Sequence, residues 1–193
     1  MQEILRVYLW DYGKKQIRTN FDLRNSSDLL RLVTCIDYSL QAFENNIACL
    51  GKAYYNNRNY SEAIEVYERF FEVMNVIFKN ECPPPYHDFD SGDCYLLLAQ
   101  AYLAIGESDK AMDSVESSVM YYMNLLKKET DDENYYPIVV GSPIVKKREF
   151  KQRIRKDIIK KRLQNKLSDK CIEELHQNTR FVDLLDMVNS IQE

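Results

Sequence analysis

The stretch LGKAYYNNRNYSEAIEVY, residues 50–67, carries the signals of a helical hairpin. Gly51 precedes the aromatic Tyr54 by three positions, a polar turn follows at 57–59, and Ala63 comes nine positions after the aromatic. Apolar residues on both sides of the turn recur at helical spacing. The stretch therefore predicts two antiparallel helices that approach each other closely at their small residues.

The same order of residues recurs in LAQAYLAIGESDKAMDSV, residues 98–115. Ala99, Tyr102 and Ala111 stand at the small, aromatic and small positions, and residues 105–107 form the turn. The two units match at the small, aromatic and turn positions, although Tyr67 falls opposite Val115, and together they predict a repeat in which neighbouring hairpins stack and bury one continuous core.

The two units resemble the tetratricopeptide repeat, which has this small–aromatic–turn–Ala order. The chain departs from that pattern at Arg58, where Gly is usual, and at Phe70, where Ala is usual. The resemblance implies an all-α fold, a tetratricopeptide-like α-solenoid of stacked antiparallel hairpins with about eight helices. The alternative is an unrelated helical bundle that matches by chance.

The helical pattern runs through the whole chain, and we predict a single domain over residues 1–193. Its parts are N-terminal helices in 1–43, repeat hairpins in 44–79 and 92–127, and C-terminal capping helices in 143–193. Within the first part we expect a helix at 2–18. The helix over 27–57 is either continuous or broken at Asn45-Asn46.

The two repeats are separated by an insert, residues 80–93. Because Pro83-Pro84-Pro85 cannot continue a helix, we expect the insert to be a loop. Asp93 would then cap the next helix.

After the second repeat, Ser142-Pro143 predicts the start of a helix that runs to about residue 166. Ser168 is expected to cap a short helix at 169–177, and Asn178 or Thr179 to cap the last one. The expected apolar stripes are Phe150, Ile154, Ile158, Leu163 and Leu167 in the first helix, and Phe181, Leu184, Leu185 and Val188 in the last.

The bulk composition is that of a soluble folded chain, with 45% hydrophobic and 29% charged residues. No apolar run approaches the roughly 18 residues of a membrane span, and the N-terminus does not resemble a signal peptide. The five cysteines are odd in number and form no C-x-x-C. We therefore expect no disulfide framework, no membrane association and a cytoplasmic location.

Residues that could support catalysis or metal binding are few. Cys82, His87 and Cys94 offer zinc-ligand chemistry, but their spacing matches no common zinc pattern, and DFDSGD fails as a calcium loop. No catalytic triad order, phosphate-binding Gly-rich loop or paired carboxylate motif is present. We therefore expect no cofactor and no enzyme.

Segment 146–166 holds eleven Lys and Arg residues against two acidic ones, whereas the whole chain has a net charge of −4. Such a helix could contact the phosphates of a nucleic acid, and this is our alternative function. The cations we expect to be involved are Lys147, Arg148, Lys151, Arg155 and Lys161. Since the one aromatic residue of the segment, Phe150, belongs to the expected apolar stripe, a solvated outer face is the favoured interpretation, and we expect no direct nucleic-acid contact.

In tetratricopeptide proteins the first helices of the hairpins line a concave surface that binds partners. The resemblance places eight groove residues here, namely Asn45, Lys52, Tyr55, Asn56, Asp93, Leu96, Gln100 and Leu103. Ala48 and Lys52 stand at two positions of the family's carboxylate clamp, so that clamp is not expected. The groove predicts a protein or peptide ligand.

Two further likenesses concern regulation. The second hairpin is similar to the C-terminal sensor half of bacterial helix-turn-helix transcriptional regulators. The Arg180-Phe181 pair before a last Leu-rich helix resembles the end of bacterial tetratricopeptide proteins. Residues 1–26 are too short for a DNA-binding domain, so we expect a sensor part or a stand-alone relative. Homodimer formation through the Tyr-rich surface stays open.

Overall fold

A computed structural model describes residues 26–78, 85–127 and 156–190 of the chain. These residues form α1 Ser26–Asn56, α2 Tyr60–Phe78, α3 Pro85–Ala104, α4 Ser108–Lys127, α5 Lys156–Leu167, a 3₁₀ helix Lys170–Gln177, and α6 Thr179–Asn189. The described residues contain no strand, which confirms the all-α prediction. The helix expected at 2–18 lies outside them.

The helices stack as hairpins. α1 packs against α2 and α3 against α4, while α2 and α1 also contact α3, so the second hairpin lies on the first. The arrangement is a tetratricopeptide-like α-solenoid, as predicted. α5 and α6 then pack on α4, and the 3₁₀ helix reaches α3.

The predicted small residues lie where the helices approach most closely. Gly51, Ala63, Ala99 and Ala111 are all buried, and the three alanines have no exposed surface. A Cβ atom on Gly51 would lie 2.6 Å from Cε1 of Tyr67, so the absence of a side chain is what admits this fully buried ring. Close approach at small residues therefore sets the spacing within each hairpin.

The two hairpin turns share one backbone geometry. Arg58 has φ +62° and Gly106, at the equivalent position, has φ +81°. In each turn the N–H of the next residue donates to a tyrosine carbonyl five residues earlier, Asn59 to Tyr54 and Glu107 to Tyr102, both at 3.0 Å. The repeat thus needs a left-handed residue here, which Gly supplies without strain and Arg does not.

The structure tests three predictions about helix boundaries. α1 is continuous through Asn45-Asn46, which resolves the open alternative. The expectation of a loop up to residue 93 is wrong, because α3 begins at Pro85. Proline is tolerated in the first helical turn, where its missing N–H would have no intrahelical acceptor. Asp93 therefore lies inside α3 and does not cap it.

The C-terminal part corrects two further expectations. Ile158 is 51% exposed and Ile159 is buried instead, so the stripe is displaced by one residue at that turn. The cap before the 3₁₀ helix is Asp169 and not Ser168, because the Asp169 carboxylate accepts from the Cys171 N–H at 2.9 Å. Asn178 caps α6 as predicted. Phe150 and Ile154 lie outside the described residues.

Candidate binding cleft

Asp93 is the polar centre of the site. Its carboxylate accepts from the hydroxyl of Tyr122 on α4, from Arg162 Nη2 at 2.7 Å and from Lys166 Nζ at 2.7 Å, both on α5. The Arg162 guanidinium also lies 4.0 Å from the centre of the Phe89 ring. One carboxylate on α3 thus holds α4 and α5 together, which explains a charged residue in the middle of a packed helix.

A cleft of about 330 Å³ opens beside Asp93, between α1 and α3. Its lining comes from Lys52, Tyr55 and Asn56 of α1, Tyr67 of α2, Asp93, Leu96, Leu97 and Gln100 of α3, and Lys166, Asp169, Cys171 and Ile172 of the C-terminal part. We call this space the cleft. Its lining combines apolar side chains with charged and amide side chains.

Helical periodicity explains which predicted groove residues meet. Lys52, Tyr55 and Asn56 stand at positions i, i+3 and i+4, and therefore share one face of α1. The matching face of α3 carries Asp93, Leu96 and Gln100 at i, i+3 and i+7. The structure thus brings six of the eight predicted residues into one cleft.

The other two predicted residues do not line the cleft. Asn45 is exposed and lies about two turns before Lys52 on α1. Leu103 is half-buried against the core, about one turn beyond Gln100 on α3. Both continue the correct helical stripe, but the cleft ends before it reaches them.

The C-terminal wall of the cleft was missed in the sequence. Lys166, Asp169, Cys171 and Ile172 lie more than 60 residues beyond Gln100, and no periodicity links them to the repeats. The one signal available was the apolar pair Ile172 and Leu175 at helical spacing, which predicts packing but not the partner surface.

The groups that raise the pKa of Tyr55 show that this wall lies near α1. Burial raises the pKa of the Tyr55 phenol, and the neighbouring Cys171, Tyr60 and Asp169 raise it further. The start of the 3₁₀ helix therefore lies close to the end of α1, while Lys166 is bound to α3.

A buried polar pair lies behind the cleft, between its two helical walls. Nδ1 of His87 on α3 and Oε1 of Glu44 on α1 are hydrogen-bonded, and both side chains are almost fully buried. Burial raises the pKa of Glu44 to about 10, with the charge of Asp90 adding to the effect. Burial and the charge of Asp93 raise the pKa of Asp90 to about 6, against a smaller lowering by Arg162.

The possible zinc ligands His87 and Cys94 are not arranged as a metal site. His87 is engaged by Glu44, and Cys94 is buried with its thiol pKa raised, mainly by desolvation. Within the three described ranges, no group of three or more His, Cys, Asp or Glu side chains is arranged to hold a metal ion. Cys82 lies outside those ranges.

Several cations of the basic segment 146–166 form contacts within the molecule. Arg162 and Lys166 bind Asp93, and Lys160 donates to the Asn189 carbonyl at 3.3 Å. Lys161 is exposed. The remaining cations considered for nucleic-acid contact, Lys147, Arg148, Lys151 and Arg155, lie outside the described residues, so that function stays an untested prediction.

A second ionic cluster fixes the last helix. The Arg180 guanidinium reaches Asp113 and Glu116 on α4, each at 2.7 Å, and these carboxylates raise its pKa. Phe181 is fully buried beside the His176 ring, with 4.9 Å between ring centres. The Arg180-Phe181 pair therefore joins α6 to the second hairpin through one charged and one apolar contact.

Comparison with protein families finds two matches to the model described as tetratricopeptide repeat, over residues 50–73 and 92–124. The matched segments start inside α1 and α3, since both helices extend N-terminally beyond the repeat unit. The fold and the two matches agree on a tetratricopeptide-like α-solenoid, and tetratricopeptide repeats generally mediate contacts between proteins.

The comparisons with curated proteins and with solved structures found no match. Across the described ranges, no helix combines the length and apolar character required to cross a bilayer.

Proposed function

We propose that this chain is a protein-binding scaffold whose cleft receives a peptide or part of a partner protein. One observation carries the proposal: residues of two successive repeats converge on one cleft whose lining has both apolar and polar side chains. Such surfaces gain binding energy from apolar burial, while polar groups set register.

The charges of the mouth favour this role over a structural one. Lys52 is exposed on α1, and no carboxylate of the described residues forms an ion pair with it. A solvated lysine beside Tyr55 and Asn56 adds little to stability, yet it lies where a ligand would pass.

The regulatory part of the proposal rests on likeness alone. The second hairpin is similar to the sensor halves of bacterial helix-turn-helix regulators, and we propose a sensor role of that kind in a bacterial cytoplasm. A homodimer formed through exposed helix faces is compatible with such a role.

The test is a selection of binders from a random heptapeptide display library against the full chain. Affinities of selected peptides are then measured by calorimetry for Lys52→Glu and for Lys161→Glu. The second variant is a matched control, since it reverses the charge of another exposed lysine, which does not line the cleft.

We expect Lys52→Glu to weaken the affinity about tenfold, equivalent to about 1.4 kcal/mol, and Lys161→Glu to leave it unchanged. Circular dichroism melts verify that both variants are folded. Equal affinities for the two variants, or a selection that enriches nothing, would contradict binding at the cleft.

A further inference from the structure

The lining of the cleft comes from two parts of the chain that are far apart in sequence. α1, α2 and α3 of the repeats supply eight of the twelve lining residues, and the C-terminal part, residues 156–190, supplies the other four. These four are Lys166, Asp169, Cys171 and Ile172. The cleft is therefore complete only while the C-terminal part lies against the repeats.

The helices of the C-terminal part also pack against one another. α5 and the 3₁₀ helix both contact α6. The apolar residues that these three helices bury are each at most 2% exposed, and they include Leu163, Leu167, Leu175, Phe181 and Val188. Segments that pack on themselves in this way are typical units of local opening. The C-terminal part can therefore move as one body.

Ion pairs contribute much of the attachment of this part to the repeats. Arg162 and Lys166 of α5 bind Asp93 on α3, and Arg180 of α6 binds Asp113 on α4, all at 2.7 Å. The side chains in these pairs are between 20% and 66% exposed, so each pair contributes modestly to stability. The two hairpins are instead joined by a shared apolar core. We therefore expect the C-terminal part to detach at a lower free-energy cost than unfolding of the hairpins.

The two surfaces that meet have opposite charge. α5 carries five Lys and Arg residues against Asp157 alone, whereas the facing helices α3 and α4 present Asp93, Asp113 and Glu116. Complementary charges favour one orientation of two surfaces and oppose others. A detached C-terminal part is therefore directed back to the same position on the repeats.

Lys166 connects this docking directly to the cleft, because its ammonium group binds Asp93 while its side chain lines the cleft. Undocking removes Lys166 and Ile172 from the lining. A molecule that contacts this wall as well as α1 and α3 binds the docked state more tightly than the undocked one. By linkage, that molecule stabilises docking by the same free energy.

We propose that docking of the C-terminal part on α3 and α4 is a conformational switch that completes the cleft, so that docking and occupancy of the cleft favour each other. Asp93 is the positioning residue of this switch, since it receives both cations of α5. The inference rests on the proposed function and adds the regulation of the same site.

Amide hydrogen exchange of the full chain, measured by mass spectrometry, tests the docking step. Arg162→Gln removes one donor to Asp93 but leaves the lining of the cleft unchanged, because Arg162 does not line it. Lys161→Gln is the matched control, since Lys161 is the neighbouring residue of α5, is exposed and does not line the cleft. The readout is the exchange rate in α6, which contains neither substitution.

We expect Arg162→Gln to raise the exchange rate in α6 about tenfold, consistent with one lost hydrogen bond between charged groups, while α2 and α4 stay unchanged. Lys161→Gln should change none of these rates. An equal rise in α2 and α4, or no rise in α6, would show that the C-terminal part does not open by itself and would overturn the inference.

The coupling to the cleft is tested on the wild-type chain with a heptapeptide from the display selection, added at ten times its dissociation constant. Exchange through undocking is slowed only if the undocked chain cannot hold the peptide, so we expect α6 to exchange about tenfold more slowly. Binding that saturates in calorimetry without any slowing in α6 would overturn this inference and leave the proposed function intact. A selection that yields no binding peptide would remove both proposals.

Discussion

Arg58 and Gly106 show how single residues set the hairpin turns. They occupy the same place in the two repeats, and both have positive φ. A left-handed conformation costs a non-glycine residue roughly 1–2 kcal/mol. The usual glycine is therefore physically preferred, and the chain tolerates Arg58 because the surrounding helices hold the turn closed.

We predict that Arg58→Gly stabilises the fold by about 0.5–1 kcal/mol, since relief of backbone strain exceeds the added entropy of the unfolded chain. Gly106→Ala should destabilise by about 1 kcal/mol, although a Cβ there meets no atom within 4 Å. Urea unfolding measures both. No stabilisation by Arg58→Gly, or no loss of stability in Gly106→Ala, would contradict the strain argument.

Gly51 shows the limit of residue-level prediction. The pattern indicates a close helix approach at this position, and the structure identifies Tyr67 as the side chain that uses it. At the equivalent positions the second repeat has Ala99 in place of Gly51 and Val115 in place of Tyr67, and both are fully buried. Sequence reveals the small residue, but the ring that fills the space depends on helix register.

At the scale of elements, the contact between α1 and α3 matters most because these helices form the cleft. Their buried polar link is the Glu44–His87 pair, near Asp90, Asp93 and Cys94 of α3 and Lys166 of α5. The folded Glu44–His87 pair retains one proton well above neutral pH, because loss of that proton would leave a buried carboxylate charge without a positive partner.

We predict that folding stability falls as pH rises above neutrality. The folded pKa of Glu44, about 10, exceeds its unfolded value of 4.5, so its contribution is complete at low pH and is lost as pH rises through 10. Because the unfolded His87 holds a proton up to about pH 6.5, the decline of the pair begins there. Asp90 acts in the same direction at lower pH, with a folded pKa of about 6.

Urea unfolding at pH 7.0 and 8.5 should show a loss of about 1–2 kcal/mol, given at most about 1.4 kcal/mol per pH unit. Glu44→Gln retains the shape without the proton and should flatten this dependence. A slope in Glu44→Gln equal to that of the wild type would show that another group is responsible.

Secondary structure was largely predictable for elements with strong periodicity. α2 and α4 follow the apolar spacing of the repeats, and α6 follows its cap at Asn178. The insert was misjudged because proline reads as a helix breaker, while in a first turn it is compatible with a helix. Packing of Gly92 on the Tyr122 ring, where a Cβ would lie 2.8 Å away, stabilises the additional turns.

At the scale of the whole molecule, the C-terminal part is joined to the repeats by two ionic clusters of different character. Asp93 is 20% exposed and is bound by three donors, whereas Asp113, which binds Arg180, is 66% exposed. Exposed ion pairs contribute little, but a half-buried carboxylate with several hydrogen bonds contributes more.

We predict that Asp93→Asn lowers the free energy of unfolding by about 1–3 kcal/mol, because Arg162 and Lys166 lose their carboxylate. Asp113→Asn, the matched control, should have an effect within the error of urea unfolding. In Asp93→Asn, amide exchange should increase first in residues 156–190. Equal effects of the two substitutions would contradict the dominant role of Asp93.

The sequence alone determined the helical class and the two repeats, because amphipathic periodicity and small-residue spacing are local properties. The faces of α1 and α3 that line the cleft were indicated by the resemblance to the tetratricopeptide repeat. Tertiary structure alone decided that Asp93 binds α5, that Glu44 and His87 meet across α1 and α3, and that residues between 166 and 172 line the cleft. These contacts join positions 43 or more residues apart, and no local pattern records which distant surface a side chain will reach.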